Sequence, residues 1–218
     1  ICRQLAGQGF RVALGARDTE RGETAAAQLR SEGLDVEWFP IDMRDSATLT
    51  AAPHGLQSRY GRLDALVNNA GILPDRGVPA SELEDAVLRD VFEVNFFGVW
   101  TLTAACMPLL RQSDAPRIVN MSSVLGSLAE VSRSQGWVTP AYTASKVALN
   151  AITVLFGKEL GPTGKVNSAH PGYVRTDMTG PEAPMTPEQG AKTAVWLATL
   201  PEDGPSLGLY HGQKLIAW

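Results

Sequence analysis

The chain has 218 residues, 44% hydrophobic and 19% charged, which is enough apolar material for a substantial core and excludes a disordered segment. Its 19 basic residues against 23 acidic ones give a formal charge of −4 with no basic run, which argues against a nucleic-acid partner. Ile1-Cys2-Arg3-Gln4-Leu5-Ala6 reads as the middle of an amphipathic helix with no capping residues ahead of it, so the protein is expected to extend upstream. Arg11 to Ala16 reads as a strand and Asp18 to Ser31 as a helix with Asp18 as its N-cap. Val36 to Ile41 is the next strand, Asp45 to Tyr60 a helix, and Leu63 to Asn68 a strand. A long helical stretch follows from Ser81 to Arg111, with Gly98 and Pro108 as weak points. Arg117 to Ser122 is a strand, Val124 to Thr139 is irregular, Ala141 to Leu160 is a helix and Lys165 to Ala169 a strand. Thr186-Pro187-Glu188-Gln189 opens a helix with an N-cap and a Pro at its first position, and Leu209 to Ala217 is a last strand. This alternation predicts an α/β fold, a doubly wound, Rossmann-like parallel sheet with helices on both faces, over one domain spanning residues 1–218.

Cys2 and Cys106 lie far apart in apolar helical settings, which argues against a disulfide framework and suits a reducing compartment, with the cytoplasm as the default. His54, His170 and His211 lack ligand spacing, so no metal site is expected. No apolar run approaches the eighteen or so residues of a membrane span. The first residues do not read as a signal peptide.

Ligands of open α/β sheets bind beyond the carboxyl ends of the strands. Gly15-Ala16-Arg17-Asp18 closes the first strand, where an Arg suits a ribose 2′-phosphate and therefore NADP rather than NAD. A solvated surface Arg fits the same position. Asp42 closes the next strand and offers an acceptor to an adenine amino group. Asn68-Asn69-Ala70-Gly71 closes the third, with small turn-forming residues that let backbone lie against a cofactor, although a plain turn looks much the same. Tyr142 and Lys146 stand four apart on a helix, which stacks a phenol and an ammonium on one face. A cation that close favours the phenolate and makes the phenol a better proton donor near neutral pH. Alone, such a pair also arises by chance.

Five marks stand in order: Asn68-Asn69-Ala70-Gly71, Asn95 within Val94-Asn95-Phe96-Phe97-Gly98, Ser122-Ser123, Tyr142-x-x-x-Lys146, and Pro171-Gly172 followed by Val174 and Thr176. On these marks the whole chain resembles the short-chain dehydrogenase/reductase family. Arg17, the short extra stretch before Tyr142 and the ending Gln213-Lys214-Leu215-Ile216-Ala217-Trp218 resemble its NADPH-dependent carbonyl reductase branch. The resemblance implies Tyr142 as general acid toward a carbonyl oxygen, and Lys146 as the group that lowers its pKa and holds the nicotinamide ribose. It implies Ser123, with Ser122 as its rival, as donor to the substrate oxygen, and Asn95 as anchor of a water that links Lys146 to solvent. Arg17, Asp42, Asn69, Ala70 and Gly71 are then the cofactor contacts on one side. On the other, Pro171-Gly172 turns the chain beneath the nicotinamide, and Val174 and Thr176 fix its carboxamide.

The family's first strand and glycine-rich phosphate turn are not in the sequence. Gly7-Gln8-Gly9 lies between a helix and a strand, whereas that turn runs from strand into helix. The expectation is a protein about twenty residues longer, whose central strand is missing here and leaves two neighbouring strands without partners. Val124 to Thr139, with Leu125, Leu128, Val131 and Trp137, is expected to line a substrate pocket, although those apolar residues also fit a core. Asp177 to Thr186 is expected to form a lid. The expected partners are a small hydrophobic ketone or aldehyde and further copies of the chain in a homodimer or homotetramer. An enone reductase, a secondary-alcohol dehydrogenase and a catalytically silent nucleotide-binding scaffold remain open.

Overall fold

Each predicted strand before the last is a short run that pairs in parallel with at least one neighbour, with helices between successive strands. In a computed structural model of the chain, which describes residues 1–134, 136 and 139–218, β1 (Val12–Ala16) pairs with β2 (Val36–Pro40). A second sheet holds, in order, β3 (Ala65–Asn68), β4 (Arg117–Met121), β5 (Lys165–Ala169), β6 (Leu209–His211) and β7 (Lys214–Ile216). Strands β3 to β6 are parallel and β7 returns antiparallel. The helices are α1 (Cys2–Ala6), α2 (Thr19–Ser31), α3 (Ser46–Tyr60), α4 (Asp85–Phe92), α5 (Gly98–Leu110), α6 (Leu128–Val131), α7 (Pro140–Leu160) and α8 (Pro187–Ala198).

Helices cover both faces, as the doubly wound pattern requires. On one face, Leu49 of α3, Leu102 and Cys106 of α5, and Leu149 and Ile152 of α7 pack with Ile118 of β4. On the other, Leu5 of α1 and Val195 and Leu197 of α8 pack with Val119, the next residue along β4. Each fully buried Leu or Ile contributes about 1.5–3 kcal/mol. Helix starts follow the caps legible in sequence. Asp18 Oδ1 accepts from Arg21 N at 2.8 Å, Asp45 Oδ1 from Ala47 N at 2.9 Å, and Thr186 with Gln189 closes a reciprocal capping box.

Strands β1 and β3 are not hydrogen-bonded to each other; an open slot separates the two sheets, as expected for a sheet lacking its central strand. The slot belongs to a cleft of about 1930 Å³ that runs from Leu14 and Val67 to Tyr142 and Lys146.

Four sequence expectations need correction. The stretch Leu209 to Ala217 is a hairpin and not one strand, because Gly212 at φ 58° turns the chain between β6 and β7. The stretch Ser81 to Arg111 breaks into a 3₁₀ turn at Ala80–Glu82, then α4, a π turn at Glu93–Phe97, and α5. Gly98 there is a point of close approach, since a Cβ would collide with the Met43 carbonyl. The run Asp85–Leu110 is also long and apolar enough, by length and composition, to cross a membrane; its apolar window is 56% buried, as in a core helix. Val124 to Thr139 holds a 3₁₀ turn at Val124–Gly126 and the short α6.

Candidate active site

The carboxyl ends of the parallel strands β3, β4 and β5 lie on one side of their sheet, and the cleft passes along them. Ser122 and Ser123 follow β4, and His170, Pro171 and Gly172 follow β5; all five line the cleft together with Tyr142 and Lys146 of α7. Tyr142 and Lys146 are both buried, and the Lys146 ammonium lies 5.4 Å from the centre of the Tyr142 ring. The Ser123 hydroxyl lies near enough to the Tyr142 phenol to favour its ionised form, and it accepts from Leu125 N at 3.1 Å. Ser122, the rival, is buried with its hydroxyl unpartnered and packed toward Gly126.

Burial dominates the electrostatics of this pair. It pushes the Tyr142 phenol up to about 12, with the Ser123 hydroxyl pulling down and the Asp75 charge pushing up. It pushes the Lys146 ammonium down to about 8. The expectation that Lys146 favours the phenolate is therefore not met in this state. The cation sits over the ring, and removal from water penalises the charged form of both groups. The ammonium donates to Met121 O at 2.7 Å, which leaves two of its three protons for other acceptors.

Asn95 lies in the π turn and is fully buried. Its amide forms a peptide-like pair with Ile72, accepting from Ile72 N at 2.8 Å and donating to Ile72 O at 3.0 Å, and it also donates to Ser145 Oγ of α7 at 3.0 Å. Asn95 Oδ1 and Lys146 Nζ flank Gly71, at 3.3 and 3.4 Å from the place a Cβ would occupy. The Asn69-Ala70-Gly71 turn thus lies against Asn95 and Lys146, and a side chain at Gly71 would be in tight contact with both.

Arg17 and Asp42 stand at the ends of neighbouring strands β1 and β2, off the cleft wall, where Gly15 and Ile41 are the nearest wall residues. Arg17 is exposed, and Asp42 Oδ1 accepts from Arg44 N at 3.0 Å. Gly172 adopts φ 86° with Met185 sulfur packed against its Cα, so any Cβ collides. Val174 bridges Met185, its carbonyl accepts from the Thr179 hydroxyl, and Thr176 Oγ1 lies 3.0 Å from that same hydroxyl. Of the expected substrate wall, Leu125 lines the cleft, Leu128 is exposed and Val131 lies off the cleft; Trp137 falls outside the described residues.

Residues 1–186 match the family model for short chain dehydrogenases. The chain belongs to the short-chain dehydrogenase family. This short-chain dehydrogenase is 32% identical to the carbonyl reductase [NADPH] 1 of Sus scrofa, over all of its own length and 88% of that protein's. It is 30% identical to the salutaridine reductase of Papaver bracteatum, over all of its own length and 91% of that protein's. Among solved structures, it superposes on a short-chain dehydrogenase of Escherichia coli CFT073 complexed with NADPH with a TM-score of 0.87 at 29% identity, covering 98% of this chain and 90% of the other.

Two neighbours of the predicted site residues escaped the sequence reading. Thr179 organises Val174 and Thr176, and its signal was only another hydroxyl in the loop. Asp75 is buried and bonds the backbone of Ala141 and Tyr142 at 2.7 and 3.2 Å. Its one trace in sequence is that α7 begins with no acid in its first turn.

Proposed function

We propose that this short-chain dehydrogenase reduces a hydrophobic ketone or aldehyde to the alcohol with NADPH. The observation that carries this reading is the buried Tyr142 with the Lys146 ammonium 5.4 Å from its ring centre and the Ser123 hydroxyl near its phenol. NADPH supplies the hydride when bound. The residues fit that cofactor: two free protons of a buried ammonium suit the hydroxyls of a ribose, and the turn ending in Gly71, tight against Asn95 and Lys146, lets backbone approach closely. Arg17 receives the 2′-phosphate, Asp42 faces the adenine, and Asn69, Ala70 and Gly71 lie along the dinucleotide. Pro171, Gly172, Val174 and Thr176 hold the nicotinamide end. The names of the pig carbonyl reductase and the NADPH complex of the Escherichia coli protein support the choice of cofactor.

Tyr142 and Ser123 then converge on the substrate oxygen. Ser123 donates a hydrogen bond where negative charge develops, and Tyr142, neutral at physiological pH, delivers the proton. Lys146, mostly charged at neutral pH with its value near 8, stabilises the phenolate that forms. Asn95, which shares with Lys146 the space beside Gly71, anchors the water that returns a proton from solvent. Leu73, Leu125 and Met178 give the cleft an apolar wall for the substrate.

The slot between β1 and β3 supports the expectation of a longer protein: one more parallel strand seated there would join the two sheets and bring a phosphate-binding turn to the cleft. An intact mass of 23.3 kDa measured on active, NADPH-binding protein would count against it. Phe97 and Trp100, 51% and 41% exposed, and Leu155 of α7, 53% exposed, form an apolar surface that supports a homodimer or homotetramer.

A panel of ketones, aldehydes, enones and secondary alcohols, screened on the full-length protein with NADPH, NADH and NADP, tests the reading with product analysis. Alcohol formed from carbonyl substrates with NADPH supports it. Saturated ketone from an enone, or oxidation alone, shifts it to a sister activity, and NADPH binding without turnover supports the silent scaffold.

A further inference from the structure

The first turn of α7 has no local cap. Thr139, at the N-cap, directs its hydroxyl to Thr143 Oγ1 at 3.1 Å, and Pro140 at the first helical position has no N–H. Thr143 N is satisfied by Thr139 O. The two donors that remain, Ala141 N and Tyr142 N, are both taken by one oxygen of a residue 66 and 67 positions away, Asp75 Oδ2. Asp75 is 1% exposed, and its other oxygen, Oδ1, has no hydrogen-bond partner.

A cap does not require this arrangement. A buried carboxylate costs several kcal/mol of desolvation, which two N–H bonds and a helix N-terminus offset in part. An Asn oxygen or a Ser hydroxyl accepts the same two bonds with a smaller penalty. The charge is therefore placed where it acts on something besides the helix end, and the side chain that follows in the capped turn is Tyr142 itself. The loop that carries Asp75 also begins at the Asn69-Ala70-Gly71 turn, is pinned at Ile72 by Asn95, and reaches Met178 O through Arg76 at 3.2 Å. One short loop thus spans the cofactor turn, the start of α7 and the segment expected to close over substrate.

We propose that Asp75 is a positioning residue of the carbonyl reduction: by capping α7 from the loop that follows the cofactor turn, it sets the depth of Tyr142 relative to Gly71 and brings a carboxylate within electrostatic range of the phenol. The proposal rests on Tyr142 being the acid. The charged groups that face the phenol are Asp75 and, from α7 itself, Lys146. Ser123 from the end of β4 is neutral, and His170 after β5 is held neutral by burial, down to about 4. The acids of α4, which packs along α7, are turned away: Asp85 pairs with Arg89 and Asp90 with Arg44 at the surface.

Two variants test this, Asp75→Asn and Asp75→Ala, in the full-length protein. Carbon-13 labelling of the tyrosine ζ carbons, with Tyr142→Phe to assign the resonance, follows the phenol directly and without substrate. Asp75→Asn keeps an acceptor for both N–H groups but removes the charge, so Tyr142 should ionise at lower pH than in the wild type. Asp75→Ala should lose at least about tenfold in kcat with the KM for NADPH little changed, and Asp75→Asn should recover most of it at neutral pH. An unmoved phenol in Asp75→Asn overturns the proposal, as does wild-type kcat in Asp75→Ala. If Asp75→Ala does not fold, the Asp75→Asn titration decides. Failure of the reductase reading looks different: Tyr142→Phe then turns over like the wild type, while the resonance still reports whether Asp75 holds the phenol.

Discussion

Replacing Asn95 by Ala removes three hydrogen bonds at once, two to the backbone of Ile72 and one to Ser145. Ser145 keeps a bond of its own, to Tyr142 O at 2.7 Å, so the uncompensated groups are the Ile72 N–H and C=O. Each buried polar group left without a partner costs about 1–3 kcal/mol. Ile72 is only partly buried, so water recovers some of this and a loss of roughly 2–4 kcal/mol is expected. That is a sizeable part of the roughly 5–15 kcal/mol that holds a domain together. For a chain of this length it corresponds to about 5–15 °C in Tm, read by thermal unfolding without ligand. The turn over Lys146 loosens in the same variant, so NADPH reduction should fall in kcat as well. A Tm within about 2 °C of wild type would refute the view that Asn95 pins the turn after β3.

Other outcomes follow from the same contacts. Lys146, at about 8 in the fold against an ordinary 10.5, binds no proton between those values while the unfolded chain still does, so stability should rise with pH across that window. The rise should amount to about 2 kcal/mol by pH 10 and be absent in Lys146→Met, measured by denaturant midpoints of the ligand-free protein. Above pH 10 the Tyr142 phenol, held to about 12, acts in the opposite sense, because there the unfolded chain loses its proton first. Gly22→Ala should destabilise despite a helix-propensity gain of about 1 kcal/mol, since the new methyl overlaps the Trp38 ring and such overpacking costs about 1–3 kcal/mol. Displacing Trp38 also breaks its bond to Ala16 O, one residue before Arg17, so the KM for NADPH should rise.

The layering was legible because buried parallel strands are written as short apolar runs and because Asp18, Asp45 and Thr186 announce the helices they cap. The spacing of Tyr142 and Lys146 predicted a shared helix face, and the structure brings Ser123 to the same phenol. Spacing carries no record of dehydration, however, and the fold moves both groups away from their charged forms. Asn95 in the π turn bonds Ile72 and Ser145, residues 23 and 50 positions away, contacts which no local pattern encodes. Asp75 is hidden for the same reason, its partners lying on a helix that begins some sixty-five residues later. In the hairpin of β6 and β7 the turn signal was Gly212 between His211 and Gln213, which the reading as a continuous strand passed over.

The account turns on Tyr142 as the proton donor to a carbonyl. The most direct measurement compares the rate of NADPH oxidation by a hydrophobic ketone in the wild type and in Tyr142→Phe, which removes one oxygen from a buried ring. Loss of the acid should lower kcat about 10²–10⁴-fold while NADPH still binds. Turnover in Tyr142→Phe within a factor of about two of wild type would contradict the account.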